Sequence, residues 1–202
     1  MSILGVILAG GLSTRMNGHD KALIKLSGYP LIEHSINRLE SQVDGLAINI
    51  NRDYYLYKKY NLPIIPDTID GFLGPLAGIQ AGMDYAAEHK YTHVITVAAD
   101  TPFFPLDLKD KLFDENFDIN IAKTISDINQ KNLHPTFGLW NVKLRDELRA
   151  ALMGDVRKVM LFVKQNKWRS VGWEKKDYDQ FFNVNTPEDM INAELIENGK
   201  IV

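Results

Sequence analysis

The chain has 202 residues, 45% hydrophobic and 24% charged, a composition that suits one globular domain and speaks against disordered and membrane-embedded classes. Its 23 basic and 26 acidic residues give a formal net charge of −3, so no global basic field draws it to nucleic acid, and an anionic ligand must be met locally. Zero cysteines exclude a disulfide framework, a thiolate zinc site, an iron–sulfur cluster and a cysteine nucleophile.

The first element, Ile3 to Leu8, is a continuous β-rich run of the kind covered on both faces in a parallel sheet. It is too short for a signal-peptide core and lacks a basic lead, so a cytoplasmic location without membrane contact is expected. Pro30 then introduces Leu31, Ile32, Ser35, Ile36 and Leu39 at helical spacing. Leu46 to Ile50 reads as a second strand, Tyr54 to Tyr60 as a helix, Ile64 to Ile65 as a short strand and Leu76 to Glu88 as a helix with Pro75 at its first position. His93 to Ala99 is another buried strand. Strand, loop and helix alternate, which predicts an α/β fold with right-handed crossovers.

The second half is less regular. Asp118 to Ile125 and His134 to Asn141 flank DINQKN, whose polar residues suit a hairpin, so an antiparallel addition to the sheet is expected. Leu144 to Met153 and Val156 to Lys167 read as helices separated by Gly154, and Trp168 to Trp173 as a strand. Thr186 as N-cap, Pro187 at the first helical position and Asp189 two further on predict a final helix.

In open α/β sheets ligands bind beyond the carboxyl ends of the strands, which directs attention to the loops that follow them. The first, Gly10-Gly11-Leu12-Ser13-Thr14-Arg15 running to Asp20-Lys21, matches neither the Walker nor the dinucleotide glycine pattern. It nevertheless combines exposed backbone N–H groups, a guanidinium and an ammonium, the ingredients of a phosphate cradle; an ordinary basic turn is the alternative. Gly74-Pro75 opens a helix whose orphan N–H groups suit an anion or a base edge, while Gly78 and Gly82 suit either a close ligand or tight packing on the sheet. Asp100, where a buried strand emerges, is a hard-oxygen ligand suited to magnesium or else a cap on the Thr101-Pro102 turn. Asn49, Asn51, Arg52 and Asp67 end strands where a base and ribose would be read, and His134-Pro135-Thr136 and Asn183-Val184-Asn185 interrupt apolar surroundings. His19, His34, His89 and His93 have no metal-ligand spacing.

Taken in order, LAGGLSTRM…DKALIKLSGYPLIEH, NINR, PD, GPLAGI, AADTPF, HPT and FFNVNTPED resemble the molybdenum cofactor guanylyltransferase (MobA-type) family from residue 8 to residue 189. The resemblance implies a single Rossmann-like, GT-A-type nucleotidyltransferase domain over 1–202. Its mostly parallel central sheet would be flanked by helices, with a nucleotide half to about residue 110 and an acceptor half beyond. It implies transfer of GMP from GTP to the terminal phosphate of molybdenum–molybdopterin with release of pyrophosphate, and magnesium as cofactor. Leu8, Ala9, Gly10 and Gly11 would line the guanine nucleotide, with Arg15 and Lys21 at its phosphates, Asn49, Asp67 and Gly78 at base or ribose, and Asp100 on magnesium. Arg15, Lys21 and Asp100 would be the catalytic set, and His134, Thr136, Asn183 and Asn185 would face the acceptor. The implied partners are these small molecules and the proteins that deliver and receive the cofactor, on a monomer. Asn17 stands where the family favours glycine, and the second aspartate that related sugar nucleotidyltransferases carry near Asn183 or Asn185 is missing, so one metal-binding carboxylate is expected. The rival readings are a nucleotidyltransferase using CTP or a sugar phosphate, a non-catalytic GTP-binding module, and a structural interaction protein.

Overall fold

The computed structural model describes residues 1–10, 20–69, 74–126 and 132–200. In chain order the elements are β1 (Ile3–Leu8), β2 (Lys25–Leu26), β3 (Tyr29–Pro30), α1 (Leu31–Leu39), β4 (Gly45–Asn49), β5 (Ile64–Ile65), α2 (Pro75–Glu88), β6 (His93–Ala98) and α3 (Leu108–Leu112). There follow β7 (Ile119–Ile125), β8 (Asn132–Asn141), α4 (Arg145–Met153), α5 (Val159–Val163), β9 (Trp168–Glu174) and α6 (Pro187–Glu197). Among the described residues no helix is long and apolar enough to cross a membrane.

Seven strands form one sheet in the order β5-β4-β1-β6-β8-β7-β9, with β8 alone running against the rest. Successive side chains on a strand face opposite ways, and the core divides accordingly. Leu4 and Val6 of β1 join α2, α4 and α5 on one face, where Leu76, Ile79, Leu148, Leu152 and Phe162 are buried. Ile3 and Ile7 turn to the other face with α1 and α3, where Ile32, Leu39, Leu108 and Leu112 are buried. A smaller cluster of Leu26, Leu31, Phe103, Val184 and Ala193 ties α6 and the β2–β3 hairpin to the loop after β6. The sheet sandwiched between helices is the α/β arrangement expected, and the antiparallel addition is the single strand β8.

Several elements differ from the sequence reading. Tyr54 to Tyr60 forms two separate 3-10 turns, because Asp53 and Asn61, both left-handed at φ 53°, bracket a segment rich in poor helix formers. Val156 to Lys167 shrinks to Val159–Val163, since a turn at residues 164–167 is needed before β9 begins. The β2–β3 hairpin and α3 went unread; Ser27 and Gly28, at φ 49° and 91°, form the mirror-image turn that joins short antiparallel strands. The hairpin tip expected in DINQKN lies outside the described residues from 127 to 131.

Two irregularities shape the carboxyl edge of the sheet. Ile121 pairs with Gly138 but the next residue, Ala122, pairs with His134, so Pro135, Thr136 and Phe137 bulge from β8. Proline has no N–H to give a ladder, which is why the bulge falls there. As a consequence the pairing of β8 with β6 stops at Thr96–Gly138, and the last residues of β6 are left without β8 beside them. The second irregularity is close packing of α2 on β1: a Cβ on Gly82 would come within 2.9 Å of Val6, and one on Gly78 within 2.8 Å of Leu8. Helix-to-sheet contact therefore requires glycine at both positions.

Candidate functional site

The carboxyl ends of β1, β4, β5 and β6 form one edge, and two polar corners stand on it. At the first, Asn49 ends β4 and is 3% exposed. Its Nδ2 donates to the carbonyl of Ile65 (3.0 Å) and to Asp67 Oδ1 (2.9 Å). With both amide hydrogens engaged, Oδ1 is turned the other way, toward the gap between Gly10 and Gly78. A Cβ on Gly78 would fall 2.3 Å from that oxygen and one on Gly10 3.7 Å from it. Asn51 locks the arrangement: its Nδ2 donates to Asp67 Oδ2 (2.8 Å), and the Asp67 N–H donates to Asn51 Oδ1 (2.7 Å). Backbone bonds from Ala9 N to the Asn49 carbonyl (3.0 Å) and from Ala99 N to the Leu8 carbonyl (3.1 Å) extend the frame across β1. The corner is a rigid notch faced by one amide oxygen.

The second corner carries charge. Asp100 follows β6, and Lys21 Nζ lies 2.6 Å from its Oδ2 and 2.5 Å from Asn185 Oδ1. Thr101 donates to Asn183 Oδ1 and stands 3.2 Å from Asp100 Oδ1. Each side chain is placed by a specific device. Val184, fully buried in the small cluster and bonded through its N–H to the Asp100 carbonyl (2.9 Å), pins the extended NVN segment so that its two neighbours face out. Asp189, third residue of α6, forms a capping box with Thr186 and also accepts from the Asn185 N–H (2.8 Å). Burial opposes ionisation of Asp189, but these N–H groups, the Thr186 hydroxyl and Lys21 outweigh it and hold the carboxyl below its usual range. Lys21 itself is carried by a short 3-10 turn capped by Asp20, whose Oδ1 accepts from Ala22 N (3.2 Å) and whose Oδ2 accepts from Tyr57 OH (2.7 Å). Burial, then the bond to Asp20, raises the Tyr57 phenol far above its ordinary value, so it stays a donor.

The donors at this corner are all oxygens: one carboxylate, a hydroxyl and two amides. Such a set fits magnesium, which keeps waters and accepts substrate phosphates beside few protein ligands. No group of three or more His, Asp or Glu stands together among the described residues, so Asp100 is the carboxylate about which such a site would form.

His134 and Thr136 sit in and beside the β8 bulge at this same edge, because β8 runs antiparallel and its amino end lies with the carboxyl ends of β6 and β7. His134 stacks on Phe181 (centroids 4.3 Å, 17° between planes), and its Nε2 lies 2.8 Å from Thr124 Oγ1.

The sequence model of the MobA-like NTP transferase domain matches residues 5–168. The chain belongs to that family. A molybdenum cofactor guanylyltransferase from Bradyrhizobium sp. (strain ORS 278) is 42% identical, the match covering 96% of this chain and 93% of the relative. One from Yersinia pestis (strain Pestoides F) is likewise 42% identical, over 93% of each. In fold the chain resembles the crystal structure of molybdopterin-guanine dinucleotide biosynthesis protein A from Archaeoglobus fulgidus (TM-score 0.73, 23% identity, 98% and 99% of the two chains). A 4-diphosphocytidyl-2C-methyl-D-erythritol synthase from Anaerococcus prevotii gives a TM-score of 0.72 at 16% identity over 98% and 96%. The fold is thus that of the nucleotidyltransferases.

Within this family frame, the residues singled out in the sequence fall into three groups. Leu8, Ala9, Gly10, Asn49, Asp67 and Gly78 come together at the first corner. Lys21, Asp100, Asn183 and Asn185 come together at the second, although asparagines so far along the chain gave no sequence sign of meeting a lysine near its start. His134 and Thr136 share the edge and, among the described residues, make no hydrogen bond to either corner. Gly11, Arg15 and Asn17 lie outside the described residues. The supporting residues Tyr57, Thr101, Thr124 and Asp179 were not singled out. Threonine 101 adjoins a strand-end aspartate and was legible as a neighbour, whereas the others lie on segments whose proximity no local pattern encodes.

Proposed function

We propose that the protein transfers GMP from GTP to the terminal phosphate of molybdenum–molybdopterin, forming the guanine dinucleotide and releasing pyrophosphate. The observation that carries this reading is the ammonium of Lys21 set between Asp100 and Asn185, beside a rigid notch at the carboxyl edge, in a chain 42% identical to proteins named for this activity. The Asn49–Asp67 notch, with Leu8, Ala9, Gly10 and Gly78, takes the guanine nucleoside, the amide oxygen of Asn49 accepting from an N–H or O–H of the ligand. Lys21 releases Asp100 and moves onto the triphosphate, joined there by Gly11 and Arg15. Asn183, Asn185, His134 and Thr136 face the acceptor.

The bond that forms joins an acceptor phosphate oxygen to the α-phosphorus of GTP, and the bond that breaks joins that phosphorus to the oxygen of the departing pyrophosphate. A phosphate monoester with a second pKa near about 6 is already ionised at neutral pH, so the step requires no general base. Catalysis then rests on alignment of two anions and on neutralising the charge that gathers on the leaving group. When bound at Asp100, magnesium supplies part of that neutralisation. Lys21 and Arg15 supply the remainder and hold pyrophosphate in line.

The test is direct. Purified protein, GTP, magnesium and molybdenum–molybdopterin should yield pyrophosphate and the guanine dinucleotide, with CTP, ATP and UTP giving little product. Preferential use of CTP, or turnover with a sugar 1-phosphate in place of the pterin, would overturn the assignment.

A further inference from the structure

Beyond the two corners, a partly buried polar chain runs from β8 to the loop before α6. Thr124 on β7, 4% exposed, lies 2.8 Å from His134 Nε2 and 2.9 Å from Asp179 Oδ1. Asp179 Oδ1 also accepts from the Phe181 N–H (2.9 Å), which fixes the carboxylate. The proton count is decided by the end member. An ionised carboxylate only accepts, a hydroxyl has one hydrogen, and so Thr124 donates to Asp179 and must accept from His134. The imidazole is therefore protonated at Nε2, and Nδ1 keeps its lone pair. Burial lowers the His134 pKa against the opposing pull of Asp179, in keeping with a neutral ring. Rotation of the ring is blocked on one face by Phe181, itself wedged edge-on against Phe137 and Trp173. Among the described residues Nδ1 has no hydrogen-bond partner.

We propose that Thr124 and Asp179 are positioning residues for His134. They hold it as the Nε2–H tautomer and so present Nδ1 as a fixed acceptor that selects a heterocycle edge bearing an N–H donor, the chemistry of the acceptor substrate. This rests on the functional reading above, in which His134 faces that substrate.

The experiment combines a spectroscopic and a kinetic measurement on the full chain. In protein carrying 15N-histidine, assigned with a His134→Gln variant, the two ring nitrogens of His134 should show the well-separated shifts of a single Nε2–H tautomer. Thr124→Val should convert them to a tautomer mixture, and Thr124→Ser should restore the original pattern. His93, at the opposite edge of the sheet and bonded to Thr92, serves as the internal control for folding. In turnover, Thr124→Val should raise KM for the molybdopterin acceptor about tenfold, the value of one lost hydrogen bond, while KM for GTP stays unchanged. Unchanged His134 shifts in Thr124→Val would overturn the relay, and equal rises in both KM values would overturn its link to the acceptor. A wild-type protein that transfers no GMP would instead overturn the functional reading, leaving the tautomer result to decide the relay on its own.

Discussion

The Asn49 corner is made from groups 16 and 18 residues apart, on adjacent parallel strands, whereas the Lys21 corner joins groups 79 and 164 residues apart. The first has both oxygens of Asp67 occupied by amide donors and both hydrogens of Asn49 spent, so it is finished before any ligand arrives. The second holds a cation on the carboxylate that a metal would need, and its hydrogen bonds must be exchanged when a triphosphate binds. Shape is thus held by groups close in sequence whose hydrogen bonds are already complete, and charge by distant ones whose bonds must be exchanged.

Breaking the charged corner should cost most. Asp100→Asn keeps the size and the Thr101 neighbour but removes the negative charge; loss of several kcal/mol of transition-state stabilisation predicts a fall in kcat of about a thousandfold, with unchanged circular dichroism. Lys21→Met should follow, lowering kcat/KM about a hundredfold and weakening GTP binding much more than guanosine binding in titration calorimetry. Equal losses for the two ligands would mean that the ammonium does not serve the phosphates.

The rigid corner should respond differently, through stability and nucleoside affinity together. Gly78→Ala drives a methyl to within 2.3 Å of Asn49 Oδ1, an overpacking expected to cost about 1–3 kcal/mol in urea unfolding and to weaken guanosine and GTP alike. Tyr57→Phe removes the donor that steadies Asp20 beneath Lys21, at a cost of about 1–2 kcal/mol, and should raise KM for GTP only modestly. The smallest effect is one of pH. His134 and His93 both have pKa values depressed by burial below the ordinary 6.5, so the unfolded chain takes up protons first, and stability present above pH 6.5 should decline as pH falls through the folded values. Urea midpoints at pH 7.5 and 5.5 should differ in the wild type and converge when both histidines are replaced by asparagine.

The contrast between corners also explains what the sequence made legible. Strands β1, β4 and β6 announce themselves as unbroken apolar runs, and α6 through Thr186, Pro187 and Asp189, because those signals are local. The ends of such strands point to Asn49, Asp67 and Asp100 once the sheet is assumed to be parallel. Nothing local reveals that Tyr57 would reach Asp20 across 37 residues, or that Asp179 would close a chain to His134 through Thr124. The 3-10 turns at Tyr54–Leu56 and Lys58–Tyr60 share the spacing of a continuous helix, and the left-handed conformations of Asp53 and Asn61 that bracket them leave no mark on that spacing. His134, Asn183 and Asn185 stand out as polar interruptions of apolar surroundings, but their assignment to the acceptor comes from the resemblance to a family alone.

The separation between Thr101 and Asn183, 82 residues, acquires another meaning during synthesis. The chain emerges amino end first, at about 5–20 residues per second, and a domain generally folds as a unit. When β1 to β6 have emerged, β8, α4 and α5, on which β6 and α2 pack, are still to come, and the asparagines that complete the charged corner arrive on the order of ten seconds later. The order of translation therefore delivers Lys21 and Asp100 ahead of the asparagines that flank them, and the charged corner closes only when the last segment docks.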